Sequence, residues 1–163
     1  MNFFQRIISF FLAFLSMLGL FGKGSKPEIR EGEFSFVLTY EADGEIRKIE
    51  GTYVCEFEGV DYYPDGISRN WNGYIKGHGN STTYALKNTD EGIIKVNLDI
   101  SPAFFMSDPH YKANENTDNP KPEPYLYIVA EESENEYMGS LYEGDDVKII
   151  SFEYDEPIEN KYK

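Results

Sequence analysis

The sequence predicts an all-β domain, an antiparallel β-sandwich or small barrel of about six to eight strands, preceded by one N-terminal hydrophobic helix. Three observations predict it. From Phe34 onward, apolar and polar residues alternate at period two, the mark of half-buried strands. Dipeptides suited to tight turns separate the alternating runs. Residues 7–21, by contrast, run without a charge or an alternation, and no long amphipathic helix follows them.

The apolar run, Ile7 to Phe21, covers roughly 22 Å as a helix and approaches about 28 Å when counted from Phe3, near the hydrocarbon thickness of a bilayer. It is apolar all round, unlike a surface helix. The chain therefore divides into residues 1–26, a signal anchor or signal peptide plus a short linker, and residues 27–163, an acidic antiparallel β domain. Cleavage requires small residues at positions −3 and −1. Gly22 and Gly24 form the only such pair, with Lys23 between them. An uncleaved anchor is the first reading, a cleaved signal the second, and a buried core helix the third. The expected placement is single-pass in the cell membrane through residues 7–21, with the domain extracytoplasmic. Ser9, Ala13 and Ser16 share one helical face, a small-residue stripe suited to self-association.

Charge narrows the partners. The chain carries 15 Lys and Arg against 29 Asp and Glu, a net of −14. Residues 1–26 contain Arg6, Lys23 and Lys26 and no acidic group, so the remainder stands at twelve against 29, or −17. Such a surface is repelled by phosphate backbones and anionic headgroups, which argues against nucleic acid. It favours a cationic protein and loosely held divalent ions, while a carbohydrate ligand is suggested by the aromatic residues below. The single cysteine, Cys55, rules out an intrachain disulfide.

Taken in order, Phe34, Phe36, Leu38 and Tyr40 alternate with Ser35, Val37 and Thr39. Asp43-Gly44 follows, a two-residue hairpin signal. That loop places Ala42 opposite Glu45, Leu38 opposite Ile49 and Phe34 opposite Tyr53. Gly51 then lies opposite Phe36 and leaves room for its ring. Cys55 falls on the same apolar face, which makes it a small buried hydrophobe rather than a nucleophile. The second hairpin flanks Asp90-Glu91-Gly92, read as a three-residue loop closed by a left-handed glycine. It sets Leu86 opposite Val96 and Tyr84 opposite Leu98. Further strands are expected near residues 71–76, 125–131 and 147–155, with 137–142 either a short strand or a helical turn. The connection Ser101–Pro124 is too long for an ordinary loop, and Phe104, Phe105 and Met106 are expected to fix its base on the core.

Candidate chemistry is sparse. Tyr62, Tyr63, Trp71 and Tyr74 surround Asp65-Gly66 and Asn72-Gly73, both turn dipeptides, and exposed rings beside polar loops suit sugars or peptides. Alternation of the same rings into core and edge positions is the plainer alternative. Asn114, Asn116 and Asp118 have the oxygen spacing of a calcium loop's first ligands. The sixth and twelfth places hold Asn119 and Tyr125, which rejects an EF-hand and leaves only a looser calcium site; no other cofactor is expected. His78 and His110 show no ligand spacing. Asp108-Pro109-His110 sets an acid near a base, but no nucleophile elbow accompanies it. No catalytic residue is assigned, and a non-enzyme is the first expectation.

The stretches Glu33–Glu41, Tyr53–Gly59 and Ile149–Pro157 together resemble an uncharacterised group of small membrane-anchored proteins from Gram-positive bacteria. The resemblance implies an envelope setting and carries no activity. The functional expectation is a membrane-anchored, envelope-facing binding or interaction domain. A small envelope hydrolase and an acidic antagonist that docks on a basic protein are the alternatives.

Overall fold

Residues 26–63, 66–109, 121–130 and 140–163 are described by the computed structural model of the chain. The expected N-terminal helix lies outside these residues, and so do Asn114, Asn116, Asp118 and His110.

The alternating run forms β1 (Glu31–Ala42), whose Phe34, Phe36, Leu38, Tyr40 and Ala42 are all buried. β2 (Glu45–Tyr63) returns beside it in the register dictated by the turn: Ala42 opposite Glu45, Leu38 opposite Ile49, Phe36 opposite Gly51, Phe34 opposite Tyr53. Asp43 and Gly44 sit at φ 57° and 73°, the left-handed pair that a tight hairpin needs. A Cβ at Gly51 would stand 2.5 Å from the Phe36 ring, so the aromatic–glycine pairing is steric.

β3 (Gly66–Ile75) pairs with the far half of β2. Here one expectation is corrected. Asn72-Gly73 is not a turn: Asn72 faces Glu56 and Gly73 faces Cys55 in mid-strand. Glycine is required there because Tyr53 lies across it, and a Cβ would fall 2.0 Å from the Tyr53 hydroxyl.

β4 (Thr83–Thr89) and β5 (Gly92–Asn97) form the second hairpin with a two-residue loop, Asp90-Glu91, rather than the three-residue loop expected. Its register differs too. Tyr84 faces Val96, and the register shifts between Ala85 and Lys87, where Leu86 is the extra residue. The bulge keeps Leu86 inward (7 % exposed) and turns Lys87 toward the same side. Lys87 then reaches Asp43 at 2.8 Å in the first hairpin turn and Asp146 at 3.5 Å. That cross-sheet contact is what the simple register lacks. The apolar face is as expected, with Ile94, Val96 and Leu98 fully buried.

The long connection opens with α1 (Pro102–Phe105), a single turn that drives Phe105 into the core. Phe105 packs against Phe34 (4.6 Å between centroids) and Tyr53 (5.7 Å) at tilted angles and meets Tyr154 (5.8 Å) edge-on. Phe105 and Met106 are buried, so the expected anchoring of the loop's base holds. Each such side chain contributes about 1.5–3 kcal/mol. β6 (Tyr125–Val129), β7 (Ser140–Leu141) and β8 (Val147–Tyr154) complete the chain.

Two four-stranded antiparallel sheets result, ordered β3-β2-β1-β8 and β4-β5-β6-β7, one of them curled into a half-barrel. Strands are laid down in sequence order, and pairing is interrupted between β3 and β4 and between β7 and β8. Residues of both sheets and of α1 belong to one core. Two features of this topology set up the surface. Pairing of β1 with β2 stops at Glu56, while β2 and β3 run on together to Tyr63 and Gly66, so their ends project as a two-stranded ribbon. The segment entering β1 pairs with the tail: Lys26 and Lys163 exchange backbone hydrogen bonds (2.9 and 2.8 Å), and the Asn160 amide clasps both backbone groups of Ile29.

Candidate functional site

The four aromatic residues singled out in the sequence do not form one patch. Residues directly opposite share a face of a sheet. Trp71 faces Phe57 and Tyr62 faces Ile67, which puts both rings on the side of Cys55 and Gly73. Tyr74 faces Val54 and Tyr63 faces Gly66, on the reverse side. Two of the rings are also committed to the fold. Tyr74 donates to the Glu56 carboxylate at 3.0 Å. Trp71 lies edge-on to Phe57 and donates its indole N–H to Asp108 Oδ2 at 2.8 Å. Tyr62 and Tyr63 remain at the ribbon tip, 53 % and 51 % exposed.

Trp71 leads to the most densely connected polar cluster. Asp108 is 3 % exposed and accepts from Arg69 Nη1 at 3.0 Å through its other carboxylate oxygen. The Arg69 side chain is equally buried, and its guanidinium lies 4.5 Å above the Tyr162 ring. The Tyr162 hydroxyl donates to the Met106 carbonyl at 2.7 Å. Burial, then the adjacent Asp108 carboxylate, raises the Tyr162 phenol above its ordinary range. Within hydrogen-bond reach Asp108 meets a guanidinium and an indole. The pair ties the ribbon, the long connection and the chain's tail into one unit.

Cys55 is wholly buried and its thiol is pushed up to about 12 by burial, which suits packing and not nucleophilic attack. The consequence for stability has a definite sign. The folded state keeps the thiol protonated while the unfolded chain loses its proton from about pH 8.5–9. Stability is therefore complete below that pH and declines as pH rises toward 12. Tyr53, also raised by burial, acts in the same direction. We expect native protein to resist a thiol reagent at about pH 8 and to react on unfolding, and urea midpoints to fall between about pH 9 and 11. Cys55→Ala should lessen that fall. Rapid native labelling would overturn the assignment.

His78 is stacked on Tyr84 (4.3 Å, 10°) and bonds the Thr83 carbonyl through Nε2 at 2.9 Å, a turn contact with no second imidazole nearby among the described residues. Among the described residues no group of three or more His, Cys, Asp or Glu side chains is placed to hold a metal ion. The calcium expectation rests on Asn114, Asn116 and Asp118, outside that set.

Two clefts flank the ends of the molecule. One, of about 550 Å³, is bordered by the carboxylates of Asp90, Glu91, Glu143 and Asp146 with Leu141 and Tyr142. Lys87 draws Asp43 and Asp146 to the same end, and its hydrogen bond holds the Asp43 carboxyl below the usual range. The other cleft, of about 370 Å³, lies at the base of the ribbon and is lined by Lys26, Arg30, Phe57, Glu58, Val60 and Tyr62. Sequence reasoning named Tyr62 but missed Lys26 and Arg30, because nothing local signals that residues thirty positions apart meet. No helix among the described residues is long and apolar enough to cross a membrane. Comparison with family models, curated proteins and solved structures returns no match.

Proposed function

We propose that this chain is a membrane-tethered binding domain of the cell envelope whose contact surface is the ribbon with the cleft at its base. The observation that carries the reading is the ribbon itself: β2 and β3 extend past the edge of β1, hold Tyr62 and Tyr63 half-exposed, and set Tyr62 beside Lys26 and Arg30. Tyrosine offers large, rigid contact area at small entropic cost, and lysine and arginine supply orientation. Residues 7–21 supply the tether, and the envelope setting implied by the resemblance agrees with it. Trp71 and Tyr74 are instead held by Asp108 and Glu56 within the fold.

A photoreactive amino acid placed at Tyr62, and in a second variant at Ile46, tests this in cells. Ile46 is 70 % exposed near the opposite end of β2. We expect the chain to stay with the membrane fraction after alkaline extraction and the probe at position 62 alone to capture envelope material. Release of the chain into the soluble fraction, or equal capture from both positions, overturns the proposal.

A further inference from the structure

We infer that the cleft at the base of the ribbon binds the headgroup layer of the membrane in which the chain is tethered, so that the domain stands on the bilayer by this end. The inference rests on the tethered reading above and names the ligand class of that same site. Its first support is geometric. Only Gly22, Lys23, Gly24 and Ser25 separate Phe21 from Lys26, and five residue steps reach at most about 18 Å. Lys26 is held to Lys163 by backbone hydrogen bonds in both directions. An apolar segment inserted up to Phe21 therefore leaves this end of the domain, and not the far end of β2, within reach of the headgroups.

The chemistry of that end is the second support. Ile29, Tyr62 and Tyr63 are exposed there at 41 %, 53 % and 51 %. Lys26 and Arg30 share the cleft with Tyr62, and the tail's exposed Lys161 and Lys163 are tied by backbone hydrogen bonds to Glu28 and Lys26. Tyrosine with lysine or arginine is the residue set of the membrane–water boundary, where an amphipathic ring sits at headgroup level and basic groups meet lipid phosphates. Glu28 closes on Lys163, Glu58 lines the cleft, and Glu31, Asp61 and Glu159 are exposed at the same end, so the basic groups there are interleaved with carboxylates. What sets it apart is contrast. Asp43, Asp90, Glu91, Glu143 and Asp146 gather at the opposite end, around Lys87 and the acidic cleft. An anionic leaflet repels the acidic end more strongly than the end that carries Lys26, Arg30, Lys161 and Lys163, which orients the latter toward the headgroups.

The full-length chain is reconstituted in vesicles of phosphatidylcholine and phosphatidylglycerol that contain a headgroup-level quencher. A fluorophore is attached at Tyr62→Cys or Ile46→Cys; the buried Cys55 stays unlabelled under native conditions. We expect quenching to be several-fold stronger at position 62, and Arg30→Glu to remove most of that difference. Equal quenching at both positions on a chain that sediments with the vesicles overturns the inference and leaves the tether intact. A chain that fails to sediment overturns both.

Discussion

Replacing Asp108 with alanine is expected to lower stability by about 3–5 kcal/mol. The carboxylate is the buried partner of the Arg69 guanidinium, and both side chains are 3 % exposed. Without it, a full positive charge stays in a site closed by Trp71 and Tyr162, where water cannot replace the lost partner. The indole N–H loses its acceptor at the same time. Asp108→Asn should lie between, because an amide oxygen still accepts from Trp71 but no longer neutralises Arg69. Removing both charges with Arg69→Met and Asp108→Leu should restore most of the loss, since the penalty comes from burying the Arg69 charge without the Asp108 carboxylate. Urea titration followed by Trp71, the lone tryptophan, reads each case. A loss under about 1 kcal/mol for Asp108→Ala would mean that the pair is solvated and the ribbon is not fixed by it.

Gly92→Ala is expected to cost about 3 kcal/mol or more, the sum of backbone strain and overpacking. Gly92 has φ 142°, a value L residues rarely adopt. An added Cβ would stand 2.3 Å from the Val129 carbonyl oxygen and 2.9 Å from its carbon, both backbone atoms of the neighbouring strand. Side chains can rotate away from such a clash; a paired backbone cannot. The β5–β6 ladder, which joins Ile93 to Val129 and Asn97 to Tyr125, would have to open at one end. Gly66 provides the contrast, with no atom within 4 Å of the point a Cβ would occupy and no left-handed φ. In the same urea titration, Gly66→Ala should change stability by less than about 1 kcal/mol. Similar losses at both positions would show that close approach is not what selects Gly92.

The first hairpin and the second illustrate different kinds of legibility. Asp43-Gly44 fixes its register because the turn and both strands are contiguous and each needs only local information: two left-handed residues and period-two alternation. Asp90-Glu91-Gly92 invites a similar reading, yet Gly92 answers to the backbone of β6, more than thirty residues away. The register then shifts at Leu86, and Lys87 finds carboxylates in another sheet and another loop. The aromatic set shows the same division. Tyr62 and Tyr63 are exposed at a strand end, whereas Trp71 and Tyr74 serve the fold.

Local pattern is enough to read the all-β class, the inward faces of β1, β2, β4 and β5, the pairing of Phe36 with Gly51, and the burial of Cys55. These follow from side-chain alternation and turn chemistry, which act between neighbours along the chain. Tertiary structure alone decided that Asp108 meets Arg69 and Trp71, that Gly73 makes room for Tyr53, and that Lys26, Arg30 and Tyr62 line one cleft. Those meetings depend on how two sheets and the chain's tail close over a common core, and no local pattern encodes which distant side chains that closure brings together.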